Sequence, residues 1–171
     1  MKNMIENLKI TRDEMIRLLN EDLAREYQAI IAYTVYSQVI KGAQYMDIAR
    51  ELQKHAGEEL EHALKIAKQI DYLGGSPGVT PKPVKTFDSP EGMLRADLEN
   101  ERETVANYRQ RIQQAEAMGE FALSETLRQI IAQEQEHEID LSDALNINVP
   151  PPKELSPSRE TSPRSSGDGR A

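Results

Sequence analysis

The stretch Glu58-Glu59-Leu60-Glu61-His62-Ala63-Leu64-Lys65-Ile66 breaks the pattern of the helix it belongs to. The apolar seam around it steps by four, three, four, three and four residues through Ile48, Leu52, His55, Glu59, His62 and Ile66. Such spacing keeps one face of an α-helix turned to a core. A glutamate and two histidines therefore stand where leucines belong. Burying a charge is costly unless something compensates it.

The pattern recurs. Residues 133–141 read QEQEHEIDL, on a seam of Leu123, Leu127, Ile130, Glu134, His137 and Leu141. Glu59-x-x-His62 and Glu134-x-x-His137 lie 75 residues apart, and the same offset carries Leu19 onto Leu94, Asp22 onto Asp97, Leu23 onto Leu98, Glu26 onto Glu101 and Tyr33 onto Tyr108. Each seam so related holds one glutamate among apolar neighbours. The chain thus reads as two similar halves, each of two helices. Residues at i and i+3 share a helix face, so each Glu-x-x-His aims both side chains at one point.

Four helices follow from periodicity and end signals. The first opens at a capping box, Thr11-x-x-Glu14, and runs to about Lys41 before Gly42. The second covers about 44–73 and stops at Gly74-Gly75. A Pro- and Gly-rich connection follows, and Ser89-Pro90 opens the third as N-cap and first helical residue. The third runs to about Met118, and Gly119 separates it from a fourth over about 120–145. Two short links and one long one describe an all-α four-helix bundle with a crossover between helices 2 and 3, which lie parallel. Residues 1–149 form that domain. Residues 150–171, PPPKELSPSRETSPRSSGDGRA, lack apolar periodicity and read as a disordered tail with a capacity for weak docking.

Composition narrows the function classes. The chain has no cysteine, which excludes thiolate metal sites and disulfides. A net charge of −8 opposes general nucleic-acid binding and favours attracting cations. No apolar run is long enough to span a membrane, and MKNMIENLKI lacks the core of a signal peptide, so a cytoplasmic location is expected.

Four acids converging in a low-dielectric interior take up protons or cations. Two divalent cations balance them, and two neutral imidazoles add one nitrogen ligand each. Mixed carboxylate–imidazole ligation suits iron, manganese or zinc. His55 has no partner in the repeat, where Ile130 stands at its counterpart position, and reads as a core or supporting residue. Glu58, Glu61, Glu136 and Glu138 read as solvated. Asp22 and Asp97 are either partners for the histidine N–H groups or surface charges. Tyr33 and Tyr108 are packing residues with hydroxyls near the site, or redox participants.

These residues resemble the ferritin-like superfamily, bacterioferritin above all, over about residues 11–147, with EGMLRADL at 91–98 similar to the start of that family's third helix. The resemblance implies two iron ions per chain. Glu26 and His62 would hold one, Glu101 and His137 the other, and Glu59 and Glu134 would bridge them. It also implies Tyr33 as an electron donor, oxidation of Fe(II) by O2 or H2O2, storage of ferric mineral in a homo-oligomeric shell, and protection against iron and oxidative stress. Three departures stand out. Leu60 takes the place of the family's haem-ligating methionine, so haem binding in that manner is not expected, although Leu60, Ala56, Ala63, Leu64 and Ala67 make an apolar face suited to a dimer. Pro150-Pro151-Pro152 occupies the place of a fifth helix, which favours a dimer-based twelve-subunit cage over twenty-four subunits. Lys54 replaces an inner-surface histidine. Other readings of the same bundle are a di-metal peroxidase, a manganese-catalase-like enzyme, or a bundle whose tail docks it to a partner or shell.

Overall fold

The computed structural model describes residues 8–154; the tail reading from 155 onward lies outside them. Four long helices account for most of this span: α1 Arg12–Val39, α2 Met46–Tyr72, α3 Pro90–Ala117 and α4 Phe121–Ala144. No strand is present among the described residues. The helix starts follow the chemistry of their caps. Thr11 Oγ1 accepts the Glu14 amide at 3.1 Å and Ser89 Oγ the Gly92 amide at 3.1 Å. The Thr11–Glu14 capping box is only half made, because the Glu14 carboxylate turns to Arg17 instead. Helix α1 also stops two residues short of Lys41, and a 3₁₀ turn over Ala43–Tyr45 precedes α2.

Three helix ends share one geometry. After α2, the Gly74 amide reaches Asp71 O and the Gly75 amide reaches Ile70 O. After α3, Gly119 and Glu120 bond Glu116 O and Ala115 O, and after α4, Asn146 and Ile147 bond Asp143 O and Ser142 O. These are Schellman closures, which need a left-handed residue at the turn. Gly74, Gly119 and Asn146 supply it, with φ of 87°, 78° and 54°.

The crossover can be followed by its bonds to α1. The Gly78 amide donates to Asn20 Oδ1, Lys82 N to Ala24 O, Gln28 Nε2 to Pro83 O, and the Tyr36 hydroxyl to Lys85 O. The acceptors and donors on α1 advance from residue 20 to residue 36, so the crossover climbs the length of that helix. It delivers α3 to the end where α2 began, and α3 runs parallel to α2. Helices α1 and α2 pack as one antiparallel pair, α3 and α4 as the other.

The interior is divided. One apolar cluster gathers Leu19 and Leu23, Ile66 and Ile70, Ile112, and Leu123 and Leu127 from the four helices. A second gathers Tyr36, Leu52, Leu94, Leu98 and Leu141. Between them each helix inserts its acid: Glu26, Glu59, Glu101 and Glu134, all buried. Past α4 the chain runs back over α3, where Arg102 Nη2 donates to Pro151 O at 3.0 Å. Among the described residues no helix is long and apolar enough to cross a membrane.

Candidate metal centre

Both predicted histidines meet the predicted acids at the middle of the bundle. His62 Nδ1 lies 3.1 Å from Glu59 Oε2, 3.1 Å from Glu134 Oε1 and 3.5 Å from Glu26 Oε2. His137 Nδ1 lies 3.1 Å from Glu59 Oε1 and 3.3 Å from Glu134 Oε2. Glu59 and Glu134 therefore each turn one oxygen to each histidine. The donor atoms fall into two groups of four, Glu26/Glu59/His62/Glu134 and Glu59/Glu101/Glu134/His137, each gathered within 4.8 Å.

These distances suit cations better than they suit hydrogen bonds. Two donors at right angles on one ion, with bonds of about 2.1 Å, sit about 3 Å apart. A single imidazole N–H, by contrast, cannot serve three carboxylates at once. Glu59 Oε1, both oxygens of Glu134 and His137 Nδ1 are buried with no aligned hydrogen bond. Orphaned groups of this kind cost about 1–3 kcal/mol each, more when charged. The donor set therefore fits a pair of divalent cations.

Electrostatics agree. Burial, then the charges of Glu134 and Glu59, pushes the Glu26 and Glu101 carboxyls well above the ordinary range. Burial opposes charge on His62 and His137 also, but the close approach of Glu134 and the neighbouring acids, which favours the protonated rings, outweighs it and raises both imidazoles. For Glu59 burial acts upward, and the bonds from His137 and His62 overcome it and hold the carboxyl low. Without metal, protons stand in for the missing positive charge.

The surrounding shell repeats with the same 75-residue offset. The Tyr33 hydroxyl donates to Glu101, and the Tyr108 hydroxyl donates to Glu26, each crossing to the other half of the chain. His62 Nε2 lies 3.0 Å from Gln133 Oε1, and His137 Nε2 lies 3.0 Å from Glu58 Oε2. Glu58 and Gln133 are repeat partners, each directly preceding a shared glutamate. The expectation that Glu58 is merely solvated is thus corrected, and so is that for Glu138, which is buried on α4. The position before each shared glutamate carried the missed signal: an acceptor-bearing side chain in both halves.

Asp22 and Asp97 are buried rather than on the surface, and the histidine nitrogens take other partners. Asp22 accepts from Arg111 Nε at 2.8 Å and from Arg25. The offset puts Asn100 and Tyr36 where those arginines would be, so Asp97 has no such partner and its Oδ2 is unbonded. Burial accordingly pushes the Asp97 carboxyl well up. His55 packs as a core residue, stacked on His137 at a 4.0 Å centroid separation. A narrow opening between α1 and α3 is lined by Arg25, Gln28, Asn100 and Thr104 together with the four glutamates.

Residues 16–148 match the ferritin-like domain family. The chain belongs to the ferritin-like family. A bacterioferritin of Brucella melitensis is 24% identical over 125 residues, covering 72% of this chain and 78% of that protein. Among solved structures, a ferritin-like diiron-carboxylate protein from Bacillus anthracis superposes with a TM-score of 0.76 at 33% identity, covering 80% of this chain and all of the other. A dodecameric thioferritin, the bacterioferritin-related protein of Bacteroides fragilis, superposes with a TM-score of 0.74 at 28% identity, covering 85% and 94%. This ferritin-like chain shares with them the four-helix frame in which its acids converge.

Proposed function

We propose that this ferritin-like chain is a cytoplasmic ferroxidase that oxidises Fe(II) with O2 or H2O2 and stores the ferric product, limiting iron and oxidative stress. Glu26, Glu59, His62 and Glu134 hold one iron, and Glu59, Glu101, Glu134 and His137 hold the other. The observation that carries this reading is the crossing of the shared carboxylates, each of which sets one oxygen 3.1–3.3 Å from each histidine. Family membership and likeness to a diiron-carboxylate structure support the choice of iron.

A bound iron pair supplies two electrons to the oxidant. The protein's residues do the rest. Gln133 and Glu58 hold the outer nitrogens of the histidines and keep the inner ones facing the acids. Arg25, Gln28, Asn100 and Thr104 line the way in for Fe(II) and oxidant. Burial raises the Tyr33 phenol, whose hydroxyl donates to Glu101, so an electron drawn from it leaves together with its proton, which the deprotonated Glu101 of the metal-loaded site is placed to accept. Leu60 and Leu64 on α2, and Ile31 and Val35 on α1, are exposed and provide apolar surface for pairing of copies within a twelve-subunit cage.

Anaerobic titration of the metal-free protein with Fe(II) tests the reading. The tight phase should end at two ions per chain, and added oxidant should convert them to a ferric species. Two-metal uptake that survives Glu59→Ala and Glu134→Ala together contradicts it.

A further inference from the structure

Outside the six residues just assigned, one polar group on the α2/α4 face has no role in the chemistry described. Glu51 and His55 of α2 and Asp140 of α4 present donor atoms all within 4.8 Å of one another. His55 Nε2 lies 3.1 Å from Asp140 Oδ2. The His55 side chain is 1% exposed, yet its Nδ1 has no hydrogen-bond partner. The nitrogen that faces the acids is Nε2, and its 3.1 Å separation from Asp140 Oδ2 is close to the roughly 3 Å between two donors at right angles on one ion, with Glu51 alongside.

The repeat supplies an internal control. At the equivalent places the other half carries Thr126, Ile130 and Lys65, none of which could complete such a set. A mere packing requirement at this level of the bundle is met by isoleucine in the second half. The histidine and its two acids are therefore additions specific to one half.

We propose that Glu51, His55 and Asp140 form a third divalent-cation site, weaker than the central pair and open to solvent. As a binding site it stands independently of the ferroxidase reading; as a staging position for Fe(II) it rests on that reading. Bonds of about 2.1 Å allow donors on one ion to lie at most about 4.2 Å apart, so closing the site asks only a small movement. Asp140 and Glu51 have partly exposed side chains, 36% and 45%, and can make it. Three protein donors leave coordination positions for water, which makes the ion exchangeable. The field is favourable: Glu51, Glu58 and Asp140 outnumber the single Lys54, whose ammonium lies 3.6 Å from Glu51 and 3.8 Å from Glu58.

The position joins surface to centre. His55 also groups with Glu58 and His137, and the rings of His55 and His137 stack. An ion at Asp140 thus lies one imidazole from the central pair, on the face away from the α1/α3 opening.

Titration of metal-free full-length protein with Co(II), read by visible absorption and equilibrium dialysis, tests this. The native chain should take two Co(II) tightly and a third more weakly. Glu51→Gln combined with Asp140→Asn, both surface changes, should abolish the third and leave the tight pair. Lys54→Ala should tighten the third by roughly two- to fivefold, the worth of one exposed charge. A Glu59→Ala/Glu134→Ala protein should still take one Co(II), lost when the two surface changes are added, which separates this site from the fate of the central one. Identical Co(II) counts in the native chain and in Glu51→Gln/Asp140→Asn overturn the proposal.

Discussion

Glu134 shows no exposed surface, and neither of its oxygens has an aligned hydrogen bond. Without metal, the raised imidazoles of His62 and His137 lying against it are what compensate it. Replacing it by leucine, of similar size, removes one side of that buried set and strands the imidazoles, which should cost the metal-free chain about 3–5 kcal/mol. The same change should erase the thermal stabilisation that divalent cations confer on the native protein. Calorimetry with and without Co(II) checks both halves. Gln133→Ala and Glu58→Ala each leave the ligands in place but free one imidazole to turn, so metal affinity should fall about 10–100-fold, measured by competition with a chelator. At this scale the six central residues were legible because acids and histidines interrupt apolar seams at one common offset. The partners of the histidine outer nitrogens were not, since Glu58 and Gln133 sit at the seam's edge, where a polar residue is unremarkable. The role of Asp22 escaped the repeat altogether, because its arginines, Arg25 and Arg111, have no equivalents in the other half.

The helices themselves could be read to within a few residues, because Gly74, Gly119, Thr11 and Ser89 carry strong end signals. What periodicity could not supply was the course of the crossover, which depends on bonds from Asn20, Gln28 and Tyr36 to a segment without repeat. Two changes probe these elements. Gly75 has ordinary φ, but a Cβ there would meet Ile16 Cγ2 at 2.5 Å, and a branched side chain on α1 has little freedom to retreat. Gly75→Ala should therefore cost about 1–3 kcal/mol. For a domain of this size each kcal/mol moves the melting temperature by about 2–4 °C. Asn146, by contrast, occupies the left-handed position after α4, where glycine is better suited. Asn146→Gly should raise stability by up to about 1 kcal/mol, seen as a higher denaturant midpoint with unchanged slope.

The whole molecule is two apolar clusters with an acid-lined layer between them. The clusters hold the bundle together, so Leu127→Ala should cost about 2–5 kcal/mol without changing the number of ions bound. The layer holds protons when it lacks metal, on Glu26 and Glu101 and on the raised His62 and His137. Ligation needs these groups deprotonated, so cation uptake should release protons, up to one from each of the four. Affinity should accordingly fall as pH falls. Calorimetry in buffers of different ionisation enthalpy counts the protons directly, and no dependence on buffer would contradict the charge balance argued above.

The central claim is a pair of cations spanned by Glu59 and Glu134. Anomalous diffraction at the iron edge, from crystals of this protein loaded with Fe(II) without oxygen, tests it most directly. The account predicts two peaks about 3.5–4 Å apart, one beside His62 and one beside His137. A single peak, or a centre free of iron with those side chains packed against one another, would contradict it.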